Sequence, residues 1–174
     1  MSRLAFFNCL LLALNLPLAA AASPFLTVDI KIKGKADYKG ASTKTQIRTL
    51  NVEIGNYNKD AVPDVKVKWW IFGHNMKEHK LIVIKEGESK VVVPAKSDSV
   101  FTSPEVKVTG TREHKVSSRK RGRGGRRGRI STKTIPASGQ EYYGYAVEVY
   151  SGNIQIAADY TKPSIKEYLY PKGD

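Results

Sequence analysis

Apolar and polar residues alternate one for one along most of the chain, which is the period of a half-buried strand and not of a helix. "VDIKIK" sets Val28, Ile30 and Ile32 against Asp29, Lys31 and Lys33, and "TLNVEI" sets Leu50, Val52 and Ile54 against Thr49, Asn51 and Glu53. After the turn-rich "GNYNKDAVPD", the run "DVKVKWWIFG" points Val65, Val67, Trp69 and Ile71 one way, and Lys66, Lys68, Trp70 and Phe72 the other. "KLIVIKEGESKVVVP" reads as two short strands about a turn at Glu86–Gly87. "SVFTSPEVKVTGTREHKV" is a further extended run, resumed later as "RISTKTI". "EYYGYAVEVYSGNIQIAADY" is the strongest hairpin signal, with its turn at Ser151–Gly152–Asn153. On this strand Tyr143 and Tyr145 are expected in the core beside Val147 and Val149, with Tyr142, Ala146, Glu148 and Tyr150 toward the outside. The tail "KPSIKEYLYP" has room for one helical turn after Pro163, able to lie over an open face.

Seven to eight short strands with regular turn signals and no helical crossover predict an all-β fold, an antiparallel immunoglobulin-like β-sandwich over residues 23–160 with a C-terminal tail over 161–174. Trp69 is the expected buried tryptophan of the third strand. Trp70 and Phe72 lie on the opposite face, either beneath lysine stems or the C-terminal tail, or as an exposed aromatic patch that meets a partner.

Residues 1–22 break the alternation. Arg3 is followed by the apolar "LAFFNCLLLALNLPLA" and then by small residues, the order of a secretory signal peptide cut between Ala22 and Ser23. Asn15 and Pro17 interrupt the apolar run too early for a membrane span. The remaining 152 of 174 residues suffice for one domain's core. The expected location is outside the cytoplasm: periplasmic, outer-envelope or extracellular. Cys9 is the one cysteine, so the exported part has no disulfide and no thiol nucleophile. With no Asn-x-Ser/Thr sequon either, a bacterial envelope protein fits better than a eukaryotic secreted one.

Charge is concentrated in one place. Between Arg112 and Lys133 stand ten basic residues and one acid, Glu113, a net of +9 against +13 for the chain. At the centre lies "RKRGRGGRRGR", residues 119–129, placed by its flanking runs at the tip of a long hairpin. Glycine and seven like charges predict a flexible loop with an end-to-end distance of roughly 18 Å. Arg119, Lys120, Arg121, Arg123, Arg126, Arg127 and Arg129 are the candidate polyanion-binding residues, since the guanidinium fork pairs bidentately with phosphate, sulfate or carboxylate. Because no aromatic residue lies between Arg112 and Lys133, base stacking is not part of that chemistry. A solvated loop that only keeps the protein soluble would carry the same charges.

The stretches "LNVEIGN…DVKVKWWIFG" and "GYAVEVYSGNIQIAAD" resemble small secreted immunoglobulin-like proteins of the Verrucomicrobia and Planctomycetes, over residues 47–160. Some of that group are linked to pilus-associated envelope proteins, so the resemblance implies an envelope role with envelope or pilus-associated partners. The arginine-glycine run is not part of its pattern.

Enzyme chemistry finds little purchase. "HNMKEH" places His74 and His79 about Glu78 at a spacing that matches no metal site, and His114 stands alone. No Gly-x-Ser-x-Gly, P-loop or paired-carboxylate arrangement occurs on the strand pattern. The sequence thus points to a non-enzymatic exported interaction module without cofactor or metal. Its partners would be an anionic polymer (glycan, lipopolysaccharide or extracellular nucleic acid) or an acidic protein. The alternative is a nucleic-acid-binding protein acting through the arginine-glycine loop.

Overall fold

A computed structural model describes residues 25–40, 42–119 and 130–171. The chain is antiparallel β throughout, with ten strands and one helix among the described residues. In order these are β1 (Leu26–Lys39), β2 (Thr43–Asn56), β3 (Val62–Asn75), β4 (Leu81–Val93) and β5 (Ser97–Thr102). They are followed by β6 (Val106–Thr111), β7 (His114–Arg119), β8 (Ile130–Ile135), β9 (Ser138–Ser151), β10 (Ile154–Tyr160) and α1 (Pro163–Leu169). The excess over seven or eight strands arises because the run 97–119 is cut into three. Pro104 and the Arg112–Glu113 corner do the cutting, and β7 leaves to pair with β8.

The main sheet has the order β1-β2-β6-β9-β3-β4, with β5 also on β2 and β10 on β9. Its two halves are joined between β6 and β9 by only two residue pairs, Gly110↔Gly139 and Thr111↔Ser138. The backbones meet so closely there that a Cβ on Gly139 would sit 2.4 Å from the Thr109 carbonyl oxygen, and Gly139 has φ of 77°. Across this narrow joint, Leu50, Val52 and Ile54 of β2 share one core with Val65, Val67, Trp69 and Ile71 of β3 and with Val147 and Val149 of β9. The alternation of the sequence is the cause: each strand offers one apolar face, and burying both faces together removes them from water.

Two sequence expectations change. The stretch 81–93 is one strand, not two about a turn. Gly87 lies opposite Trp69, and a Cβ there would stand 2.7 Å from the indole Cζ2, so the glycine makes room for the ring across the sheet. The second change lies on β9. Phe72 pairs with Gly144 but Gly73 with Tyr142, leaving Tyr143 as the extra residue of a bulge. The bulge reverses the alternation. Tyr142, not Tyr143, joins Tyr145 against the main core, while Tyr143 turns to the other side of the sheet.

That other side is covered. Phe72, Ala146 and Ile165 form a second cluster, with Trp70, Leu81, Val83, Tyr160 and Leu169 packed around it. Pro163 starts α1 at a position where its missing N–H costs nothing. A seven-residue helix is too short to persist alone, so docking through the fully buried Ile165 holds it. Among the described residues no helix is long and apolar enough to cross a membrane.

Candidate functional site

The basic run is approached by β7 and β8, which form a two-stranded sheet of their own. Their register runs from His114↔Ile135 to Arg119↔Ile130 without a break. One face of this ribbon carries Lys115, Ser117, Thr132 and Thr134, with the Ser117 and Thr132 hydroxyl oxygens 3.4 Å apart. Val116 of β7 is 46% exposed and Ile130 of β8 62% exposed, so the ribbon borrows little from the core. At its base the Arg112 amide donates to the Ser42 carbonyl at 2.9 Å, and the Arg112 and Lys44 side chains both reach Glu141, at 3.6 and 3.3 Å. Of the candidate polyanion-binding residues, Arg119 has its backbone paired at the ribbon's end. Lys120, Arg121, Arg123, Arg126, Arg127 and Arg129 lie outside the described residues.

The aromatic pair Trp70 and Phe72 does not form an exposed patch. Phe72 is wholly buried beneath α1, its ring edge-on to Tyr168 at 5.6 Å, and Trp70 is half-buried in the same cluster. The correction follows from the tail, which lies over this face as the first of the two sequence readings allowed. The histidines of the sequence do not converge either: His74 stacks on Tyr143 at 4.3 Å, and His79 occupies a turn with φ of 55°. The Lys162 Nζ lies over the Tyr143 ring, 3.6 Å from its centroid.

The densest polar arrangement is one the sequence did not reveal. Glu148 of β9 is 1% exposed, yet it is a carboxylate on the face expected to meet water. Three phenols donate to it, each at 2.6 Å: Tyr150 to Oε2, and Tyr160 and Tyr170 to Oε1. Burial by itself raises the Glu148 carboxyl's pKa, but the three hydroxyls and nearby Lys68 outweigh that and hold it below its ordinary value. The donors respond in the opposite sense. The Tyr150 and Tyr170 hydroxyls are pushed up chiefly by donating to Glu148, and that of Tyr160 by burial and then by the same bond. A second pair repeats the device: the Tyr145 hydroxyl donates to Asp159 at 2.7 Å and, through burial and that bond, resists ionisation. Tyr142 is raised to about 12 by burial, with the Arg48 guanidinium 4.7 Å over its ring opposing the shift.

The elements explain why these groups meet. Tyr150 lies two residues from Glu148 on one strand, so their side chains share a face. Tyr160 comes from β10, paired to β9 through Ala158↔Glu148 and Tyr160↔Ala146. Tyr170 arrives from the residue after α1. The carboxylate is satisfied by all three phenols. It fastens the tail to the sheet.

No family model and no curated protein matches the chain. Among solved structures, one titled "X-ray structure of Northeast Structural Genomics Consortium target SoR45" aligns with 76% of this chain and 92% of its own. The identity is 8% and the TM-score 0.29, too low to support an argument about fold or function.

Proposed function

We propose that this chain is an exported, non-enzymatic immunoglobulin-like sandwich that serves as an envelope interaction module, touching anionic polymers through the basic run at its β7–β8 ribbon. The observation that carries this reading is the ribbon itself. It is a separate two-stranded sheet paired up to Arg119↔Ile130, the first residue of the run and the residue that follows it. Lys115 and Lys133 on the ribbon extend the positive charge back from residues 119–129. The sandwich assignment is supported by the common core of the two antiparallel half-sheets, with Trp69 at 3% exposure within it.

The test is a salt titration of binding to heparin, duplex DNA and RNA. Charge-driven contact releases counterions, so affinity for duplex DNA falls with salt at a slope of about 0.9 per phosphate neutralised. The three polymers compete with one another, and replacing the six arginines of residues 119–129 by serine abolishes binding to all. Tight binding to a single RNA sequence that survives about 0.5 M salt, where the Debye length is roughly 4 Å, would replace this reading with sequence-specific RNA recognition. N-terminal sequencing of protein from its native host should begin near Ser23; retention of Met1 in the cytoplasm would remove the export step.

A further inference from the structure

The outer edge of β1 is unlike the other edges of the main sheet. β1 stands at the end of the strand order, and among the described residues it pairs only with β2. All 14 of its residues are in one unbroken register, from Leu26↔Asn56 to Lys39↔Thr43. β4, at the opposite end, is interrupted by a bulge between its pairings with Ile71 and Phe72, while β5 and β10 are short. Bulges, shortness and proline are the devices that keep an edge from pairing with another chain. β1 has none of the three.

Its remaining protection is charge, and that charge is self-complementary. Asp29, Lys31, Lys33, Lys35, Asp37 and Lys39 all lie exposed on one face. In an antiparallel pairing of β1 with itself, centred on Gly34, Asp29 stands opposite Lys39 of the second copy and Lys31 opposite its Asp37. A two-fold axis repeats both contacts. Only Lys33 and Lys35 meet a like charge, and both are exposed at the centre, where long stems can splay. Sliding the register by two residues one way sets Asp29 against Asp37, Lys31 against Lys35 and Lys33 against itself. Sliding it the other way keeps Lys33 against Asp37 but sets Lys31 against Lys39 and Lys35 against itself. Of these three registers, the one centred on Gly34 makes the most opposite-charge pairs. On the opposite face, this register lays Ile30 against Tyr38, whose ring is 70% exposed in the monomer. At the dyad, Gly34 presents no side chain, and the space a Cβ would fill is taken by the Arg48 side chain, whose guanidinium donates to the Lys35 carbonyl at 3.2 Å.

We infer that β1 pairs antiparallel with β1 of a second copy of this chain, about a two-fold axis at Gly34, making a continuous sheet across the dimer. This inference is independent of the polyanion reading, because β1 and the β7–β8 ribbon belong to different sheets.

Sedimentation equilibrium over a concentration series tests it with three charge variants: Asp29→Lys, Lys39→Asp and the two together. Both residues are exposed, so the swaps leave the monomer's circular dichroism unchanged. The wild-type protein should approach twice its chain mass. Each single swap creates two like-charge contacts across the dyad and should weaken association by about tenfold. The double swap restores opposite charges at the same positions and should recover the wild-type constant. A wild-type protein that stays monomeric at every concentration overturns the inference. So does a dimer indifferent to the single swaps, or one that the double swap fails to rescue.

Discussion

Replacing Glu148 by Gln tests the main polar arrangement of the molecule with the smallest change of shape. The carboxylate accepts three hydroxyls at 2.6 Å while 1% exposed. A hydrogen bond to a charged group contributes about 1.5–3 kcal/mol and a neutral one about 0.5–1.5, so each loses roughly 1 kcal/mol when the charge goes. Glutamine keeps an acceptor for Tyr160 and Tyr170, but its NH2 faces the Tyr150 hydroxyl and forces that donor to turn. Tyr170 is 51% exposed, so water replaces part of its bond. The net expectation is a destabilisation of about 2–3 kcal/mol, or a Tm lower by roughly 5–10 °C for a domain of this size. Tyr160→Phe and Tyr150→Phe should each cost less than the glutamine variant, and Tyr170→Phe least of all.

The pH dependence gives the sharper check. The Glu148 carboxyl lies below its ordinary value of 4.5 in the folded protein, so its contribution is complete above that value and disappears as pH falls through the folded pKa. Urea melts of wild type and Glu148→Gln should thus differ by a constant amount at neutral pH, and the difference should shrink below about pH 4. A variant that melts within about 1 °C of wild type would refute the account of a buried charge held by three donors. A difference that grows on acidification would refute its sign.

Two further perturbations probe the packing. Gly87→Ala drives a methyl to within 2.7 Å of the Trp69 indole, which is 3% exposed, and should cost about 1–3 kcal/mol in chemical denaturation; a neutral effect would show that the ring does not need the space the glycine leaves. Ile165→Ala removes the buried anchor of α1 and should cost about 2–4 kcal/mol, with a red-shifted Trp70 emission as the tail lifts. An unchanged emission spectrum would show that the helix is held by something other than its apolar face.

What the sequence made legible was local. Alternation placed Val28, Ile30 and Ile32, then Leu50, Val52 and Ile54, on buried or half-buried faces, and the Gly152–Asn153 turn joins β9 to β10 as its residues foretold. What it hid depended on a partner distant in the chain. Gly87 beside Glu86 resembles a turn until the Trp69 ring is seen across the sheet. The tyrosines of β9 obey strict alternation in the sequence, and only a bulge against β3 exchanges the faces of Tyr142 and Tyr143. Phe72 alternates to an outer face, and no pattern within its own strand says that a helix ninety residues later covers it. The positive charge of residues 119–129 is plain from composition, because a charge run needs no tertiary partner to be recognised.

The same covering explains why a carboxylate occupies a buried position at all. An apolar side chain at residue 148 would pack under the tail without the cost of desolvation, and buried ions are often outdone by hydrophobic replacements. A hydrophobic contact, however, has no direction. Glu148 has two oxygens with defined lone pairs, and it draws one phenol from its own strand, one from β10 and one from beyond α1. Those three bonds can form together only when the hairpin register and the path of the tail are both correct. A seven-residue helix anchored by Ile165 alone could slide or turn over the Phe72 surface. The charge fixes where it stops, and so closes over an aromatic face that would otherwise be open to other chains.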